Sequence, residues 1–168
     1  MSSPYETGCQ IGTNSGFPVI FGLSGPTLLP EEKAFFTAHQ PAGYILFDRN
    51  IEAPDQVRSL IAELKTLSEE PSHFLVDQEG GRVQRVRFLG DYPEAASFEA
   101  TWRSDPAGAV EAVRNNYAKI GAELADLGFT VDCAPVLDLR QADAHDIIGA
   151  RAFSEDPACI TALATAAC

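Results

Sequence analysis

At 168 residues the chain has the length of one ordinary domain, and its apolar share of 45% is that of a globular protein able to bury a core. A net charge of -12 with no Lys/Arg cluster argues against a nucleic-acid or anionic-membrane partner, since either needs a basic patch. No apolar run is long enough to span a bilayer, and Met1 to Gln10 has no basic region followed by an apolar stretch. Cys9, Cys133, Cys159 and Cys168 are scattered, without the paired spacing of a zinc site or a disulfide framework. Reduced thiols and a cytoplasmic setting are expected, with no metal and no cofactor.

Residues 1–15 are Ser-, Gly- and Asn-rich without periodicity and read as a loose lead-in to a single unit over 16–168. Pro18 to Gly22 is the first apolar run and a predicted strand; Pro30-Glu31-Glu32 then starts a helix reaching about His39. Gly43 to Phe47 is a second strand, closed by the polar Asp48-Arg49-Asn50. Pro54 opens a helix whose Val57, Leu60, Ile61, Leu64 and Leu67 share one face, and Pro71 stops it. Phe74-Leu75-Val76 is a short unbroken apolar run, as in a strand covered on both faces. The segment from about Phe88 to Ser104, with Tyr92, Pro93, Phe98 and Trp102, reads as a surface loop. Asp105-Pro106 caps the clearest helix, in which Val110, Val113, Tyr117, Ile120, Leu124 and Leu127 keep a 3-4-3-4-3 spacing until Gly128. Phe129 to Val136 is the fourth strand. After a loop carrying His145, Asp156-Pro157 opens the last helix.

Strand and helix alternate about four times, which predicts an α/β fold with a parallel sheet and right-handed crossovers. Periodicity alone leaves open a doubly wound sheet or the front part of an eight-stranded barrel. No Gly-x-Gly-x-x-Gly follows the first strand, which weighs against a dinucleotide site.

The chemistry concentrates at the carboxyl end of the third strand, the edge where both architectures place ligands. Asp77 ends the strand, Gly80-Gly81 allows a sharp turn, and Arg82 and Arg85 follow as donors. The plainer interpretation is that Asp77 caps the turn while the arginines neutralise Asp77 and Glu79. Glu79 is expected to pair with Arg82. A hydrolase using Asp77 and Glu79 with a metal lacks the clustered histidines such a site calls for. His73, preceding its strand, belongs to the opposite, stability face, and His39 suits a helix C-terminus.

Leu75 to Arg85 (Leu-Val-Asp-Gln-Glu-Gly-Gly-Arg-Val-Gln-Arg) closely resembles a signature of glycoside hydrolase family 3, in particular its bacterial β-N-acetylhexosaminidases, which trim peptidoglycan fragments. Three further stretches match in order: Gly43 to Asn50, Phe129 to Leu139 with Asp-x-Ala-Pro-Val-Leu-Asp, and Ile148 to Phe153. The resemblance runs from about Pro18 to the end and implies a (β/α)8 barrel. It matches Asp77 to the family's sugar-binding aspartate and Arg85 and Arg151 to its substrate-binding arginines. From their places in the chain, Asp138 at a strand end, His145 in the loop near Arg151, and Arg82 are expected as support. Where the family often has an acid before that last arginine, this chain has Ala150. The family's Lys-His-Phe-Pro-Gly-His-Gly loop, with its His/Asp acid-base pair, and the aspartate nucleophile that follows it do not occur in these 168 residues. The expectation is therefore the N-terminal half of a barrel, about four βα units, that binds sugar, self-associates and does not turn over alone. The alternative is a non-catalytic sugar-binding or regulatory remnant.

Overall fold

The computed structural model describes residues 17–68, 72–141, 143 and 145–168. The lead-in at 1–15, with Cys9, and Pro71 lie outside the described residues. Strand β1 (Phe17–Gly22) leads to helix α1 (Pro30–His39), β2 (Pro41–Leu46), α2 (Pro54–Lys65) and β3 (His73–Val76). A tight hairpin of β4 (Gln78–Gly80) and β5 (Val83–Gln84) follows, then α3 (Phe98–Ser104), α4 (Pro106–Leu127), β6 (Val131–Asp132) and α5 (Pro157–Ala167). The main sheet has the order β1-β2-β3-β6 with every pairing parallel. Four consecutive parallel βα units are the arrangement of part of a (β/α)8 barrel.

The helix ends follow local chemistry. Asp105 accepts from the Gly108 backbone N–H at 3.0 Å and Asp156 from Ala158 at 2.9 Å, so both helices begin on a side-chain cap followed by proline. Gly128 stops α4 in the left-handed region at φ 99°, where a side chain would be strained.

Register decides which side chains face the helices. Tyr44 lies opposite Phe74 and Leu46 opposite Val76, and all four are buried together with Val57, Leu60, Ile61 and Leu64 of α2 and Val113, Ile120 and Leu124 of α4. Their neighbours on the other face differ: Ile45 and Leu75 are half-buried, while Ile20 and Val131 are exposed. Phe74-Leu75-Val76 is therefore covered fully on one face only. A continuous apolar run reads the same whether its second face is packed or waiting to be packed.

Two expectations need correction. The 88–104 segment is not a bare loop: 3-10 turns at Arg87–Leu89 and Ala95–Ser97 precede α3, Tyr92 is buried with its hydroxyl donating to Glu123 of α4, and Phe98 packs 6.5 Å from Phe153. Its aromatic residues have no periodicity to reveal that packing. The fourth strand is also shorter than Phe129 to Val136. Pro135 has no N–H for the ladder; beyond β6 the Cys133 N–H still bonds the Val76 carbonyl, and then an isolated parallel bridge joins Val136 to Ala152.

Candidate functional site

The carboxyl ends of β2, β3 and β6 carry Asp48, Asp77 and Asp132. Asp77 Oδ2 accepts from Arg85 Nε at 3.4 Å and Nη2 at 3.3 Å, and the Arg85 backbone N–H donates to the Asp77 carbonyl at 3.2 Å. Arg85 Nη1 reaches Asp48 Oδ2 at 3.2 Å, so one guanidinium ties together the ends of two strands. The β4-β5 hairpin delivers Arg85 to that position. Gly80 makes the hairpin possible, at φ 96° and packed so close that a Cβ would collide with the Pro93 carbonyl.

Glu79 pairs with Arg151, not with Arg82. Its two oxygens accept from Arg151 Nη2 at 2.6 Å and Nε at 2.8 Å in a bidentate fork, and the Glu79 side chain is only 5% exposed. This fork holds Arg151 in its charged form. Glu79 thus supplies the partner that the acid absent at Ala150 would have offered. Arg151 also donates through Nη1 to the Ile147 carbonyl at 3.2 Å; these three bonds leave two of its five N–H groups for a ligand.

Arg82 works on the other side of the same loop. Its Nη2 donates to the carbonyls of Asp146, Ile147 (2.8 Å) and Ile148 (3.2 Å), so it pins the segment from which Arg151 projects. His145 is exposed, its Nδ1 accepting from the Ile147 N–H at 3.0 Å. Asp138 is exposed as well, and its charge reaches Arg151. Asp138 and His145 line a cleft of about 670 Å³ together with Ile147 and Ile148. Asp77, Arg85 and Arg151 therefore gather at one sheet edge, with Arg82 supporting it and Asp138 and His145 at its rim.

Sequence reasoning missed Asp132. It lies opposite Val76 in the sheet, and its Oδ1 accepts from the Gln78 N–H at 2.9 Å. Burial pushes its carboxyl up to about 7, and the charges of Asp77 and Glu79 push the same way against the pull of the Gln78 N–H. Asp132 lies within the Asp-x-Ala-Pro-Val pattern, but a strand read as Phe129 to Val136 puts it in the middle, and only the early end of β6 brings it to the carboxyl edge. Asp48, directly after the run Gly43 to Phe47, carried the strand-end signal. The arrangement offers acceptor oxygens interleaved with guanidinium donors along one rim, suited to a neutral ligand rich in hydroxyls.

The description of the glycosyl hydrolase family 3 N-terminal domain matches residues 23–168. Beta-hexosaminidase of Stenotrophomonas maltophilia (strain K279a) is 34% identical over 149 residues, covering 88% of this chain and 44% of that protein. Beta-hexosaminidase of Xanthomonas campestris pv. campestris (strain B100) is 36% identical over 142 residues, covering 83% and 42%. Among solved structures, NagZ from Neisseria gonorrhoeae in complex with N-trifluoroacetyl-D-glucosamine is similar with a TM-score of 0.85 and 32% identity, over 90% of this chain and 45% of that one. A family 3 beta-N-acetylglucosaminidase from Paenibacillus sp. str. FPU-7 gives a TM-score of 0.79 and 29% identity, over 88% and 28%. The chain spans less than half the length of each of these relatives.

Proposed function

The chain belongs to glycosyl hydrolase family 3, and from that premise we propose that residues 16–168 supply the sugar-gripping edge of a retaining β-N-acetylhexosaminidase acting on terminal N-acetylglucosamine of peptidoglycan-derived or related glycans. The observation that carries this reading is Asp77 at the end of β3, with one oxygen steadied by Arg85, beside an Arg151 already clamped by Glu79. A carboxylate and a guanidinium held by protein partners can exchange bonds with sugar hydroxyls without first having to be ordered. The glucosamine derivative bound to the Neisseria protein supports the choice of sugar class. A cytoplasmic setting belongs to the same proposal, supported by Cys133, Cys159 and Cys168 standing as free thiols.

Retaining hydrolysis needs a nucleophile at the anomeric carbon and a proton donor for the leaving oxygen. Within these residues Asp77 and Glu79 are held by arginines and Asp132 by a backbone amide. Groups that bind ground and transition states equally leave the chemical step unaccelerated. On this reading the 168-residue chain binds sugar without cleaving it. The test is saturation-transfer NMR with N-acetylglucosamine and with glucose, run beside hydrolysis of an aryl N-acetyl-β-glucosaminide. Saturation transfer to N-acetylglucosamine without aryl release is expected. No transfer to either sugar would remove the binding role, and turnover abolished by Glu79→Gln or Asp138→Asn would require a catalytic pair within the chain.

A further inference from the structure

We propose that Asp132 is a positioning residue for this site, fixing the Asp77–Gln78 peptide, and through it the Asp77 carboxylate, from the neighbouring βα unit. The inference rests on the reading of Asp77 as a sugar ligand, but its structural part is independent of that reading. Asp77 sits where the chain leaves the ladder. Val76 before it is still paired, its carbonyl accepting from the Cys133 N–H at 2.8 Å. Gln78 after it is wholly buried, and its side-chain oxygen accepts from the Val86 N–H at 3.0 Å. The Gln78 N–H, which belongs to the same peptide plane as the Asp77 carbonyl, is held by Asp132 Oδ1. Rotation of that plane would turn the Asp77 carbonyl away from the Arg85 N–H that donates to it at 3.2 Å, loosening Arg85 against the Asp77 carboxylate, and the bond from β6 opposes it.

A backbone carbonyl could satisfy the same N–H more simply, so the use of a half-buried carboxylate has a consequence. Asp132 is surrounded by Asp77 and Glu79 from the β3-β4 segment, the Tyr117 phenol from α4 and the thiol of Cys133 just after β6, with Arg151 reaching the group through Glu79. Its carboxyl, pushed up to about 7, changes charge in the neutral range. An ionised acceptor holds an N–H about twice as strongly as a neutral one. Asp77 is therefore held most firmly above neutrality, and sugar binding should weaken as the pH falls below about 7.

The experiment follows the Gln78 amide by NMR between pH 5.5 and 8.5, and titrates N-acetylglucosamine into the wild-type chain, Asp132→Asn and Asp132→Ala. Asp132→Asn keeps an acceptor oxygen without the charge. In the wild type the Gln78 amide should titrate near pH 7 and affinity should rise across the same window; in Asp132→Asn both should be flat. Asp132→Ala should bind about tenfold more weakly, the loss of one hydrogen bond to a charged group. A Gln78 amide that ignores both pH and Asp132→Asn overturns the inference, as does a wild-type-like pH profile of affinity in Asp132→Asn. Should Asp132→Ala not fold, the pH profiles of wild type and Asp132→Asn still decide it. A wild-type chain whose Gln78 amide titrates while no sugar binds supports the positioning of the peptide and removes the proposed function instead.

Discussion

Replacing Glu79 by Gln should destabilise the chain by about 2–3 kcal/mol and should do so only while Arg151 is present. Glu79 is nearly inaccessible at 5%, Arg151 is 25% exposed, and two charge-assisted bonds of 2.6 and 2.8 Å join them. Removing one partner of a fully buried pair costs about 3–5 kcal/mol, because the other charge is left unpaired in a poor solvent for it. Here Arg151 would keep its bond to the Ile147 carbonyl and its contact with water, which brings the figure toward or below the lower end. Urea unfolding at pH 7 of the wild type, Glu79→Gln, Arg151→Met and the double variant gives the coupling directly. An interaction of at least about 1.5 kcal/mol is expected. Additivity within about 0.5 kcal/mol would refute the view that this fork fixes Arg151.

Tyr44→Phe should be neutral to stabilising, by up to about 1 kcal/mol in the same unfolding assay, since the Tyr44 hydroxyl is buried without a hydrogen-bond partner; clear destabilisation would mean that the hydroxyl is satisfied in solution. Asp132→Asn should gain stability relative to wild type as the pH rises from about 4 to 7. The folded carboxyl keeps its proton up to about 7 while the unfolded one releases it near 3.8, so the wild type is favoured at the acid end and loses that advantage through the window; thermal melts across that range that stay parallel would contradict it. The chain should sediment with concentration-dependent association. Leu137, Leu139 and Ile147 are 61%, 48% and 62% exposed and β6 is an outer strand of the described sheet; exposed apolar side chains and unpaired strand edges each favour contact between copies. A monomer at all concentrations would show that these side chains are tolerated in water.

Helices α1, α2, α4 and α5 were legible because their signals are local, whereas the short α3, with no periodic run of its own, was read as loop. The 3-4-3-4-3 spacing through Tyr117 and the Asp-Pro pairs at 105–106 and 156–157 act within a few residues. Strands β1, β2 and β3 fell within two residues of the apolar runs that announced them. Side-chain pairings at this edge were legible where the chain itself brings partners close, as for Asp77 and Arg85, eight residues apart. Arg82, three residues from Glu79, was the obvious local candidate for it. The actual partner, Arg151, stands 72 residues away and is chosen by the sheet, which returns the 145–151 loop to the end of β3. Asp132 was hidden for the same reason: it acts on Gln78 from 54 residues away.

The role of this sheet edge is tested most directly by calorimetric titration of N-acetylglucosamine into the wild-type chain, Asp77→Ala and Arg82→Ala at pH 8. Asp77 is read as touching the sugar and Arg82 as holding the loop, through the carbonyls at 146–148 and an ion pair of 3.5 Å with the Asp146 carboxylate. Saturable binding by the wild type is expected, weakened in Asp77→Ala by about 2 kcal/mol, roughly thirtyfold, for the loss of charged hydrogen bonds, with a smaller loss in Arg82→Ala. Binding by Asp77→Ala equal to that of the wild type, with the fold intact, would remove Asp77 from the site and contradict the reading built on it.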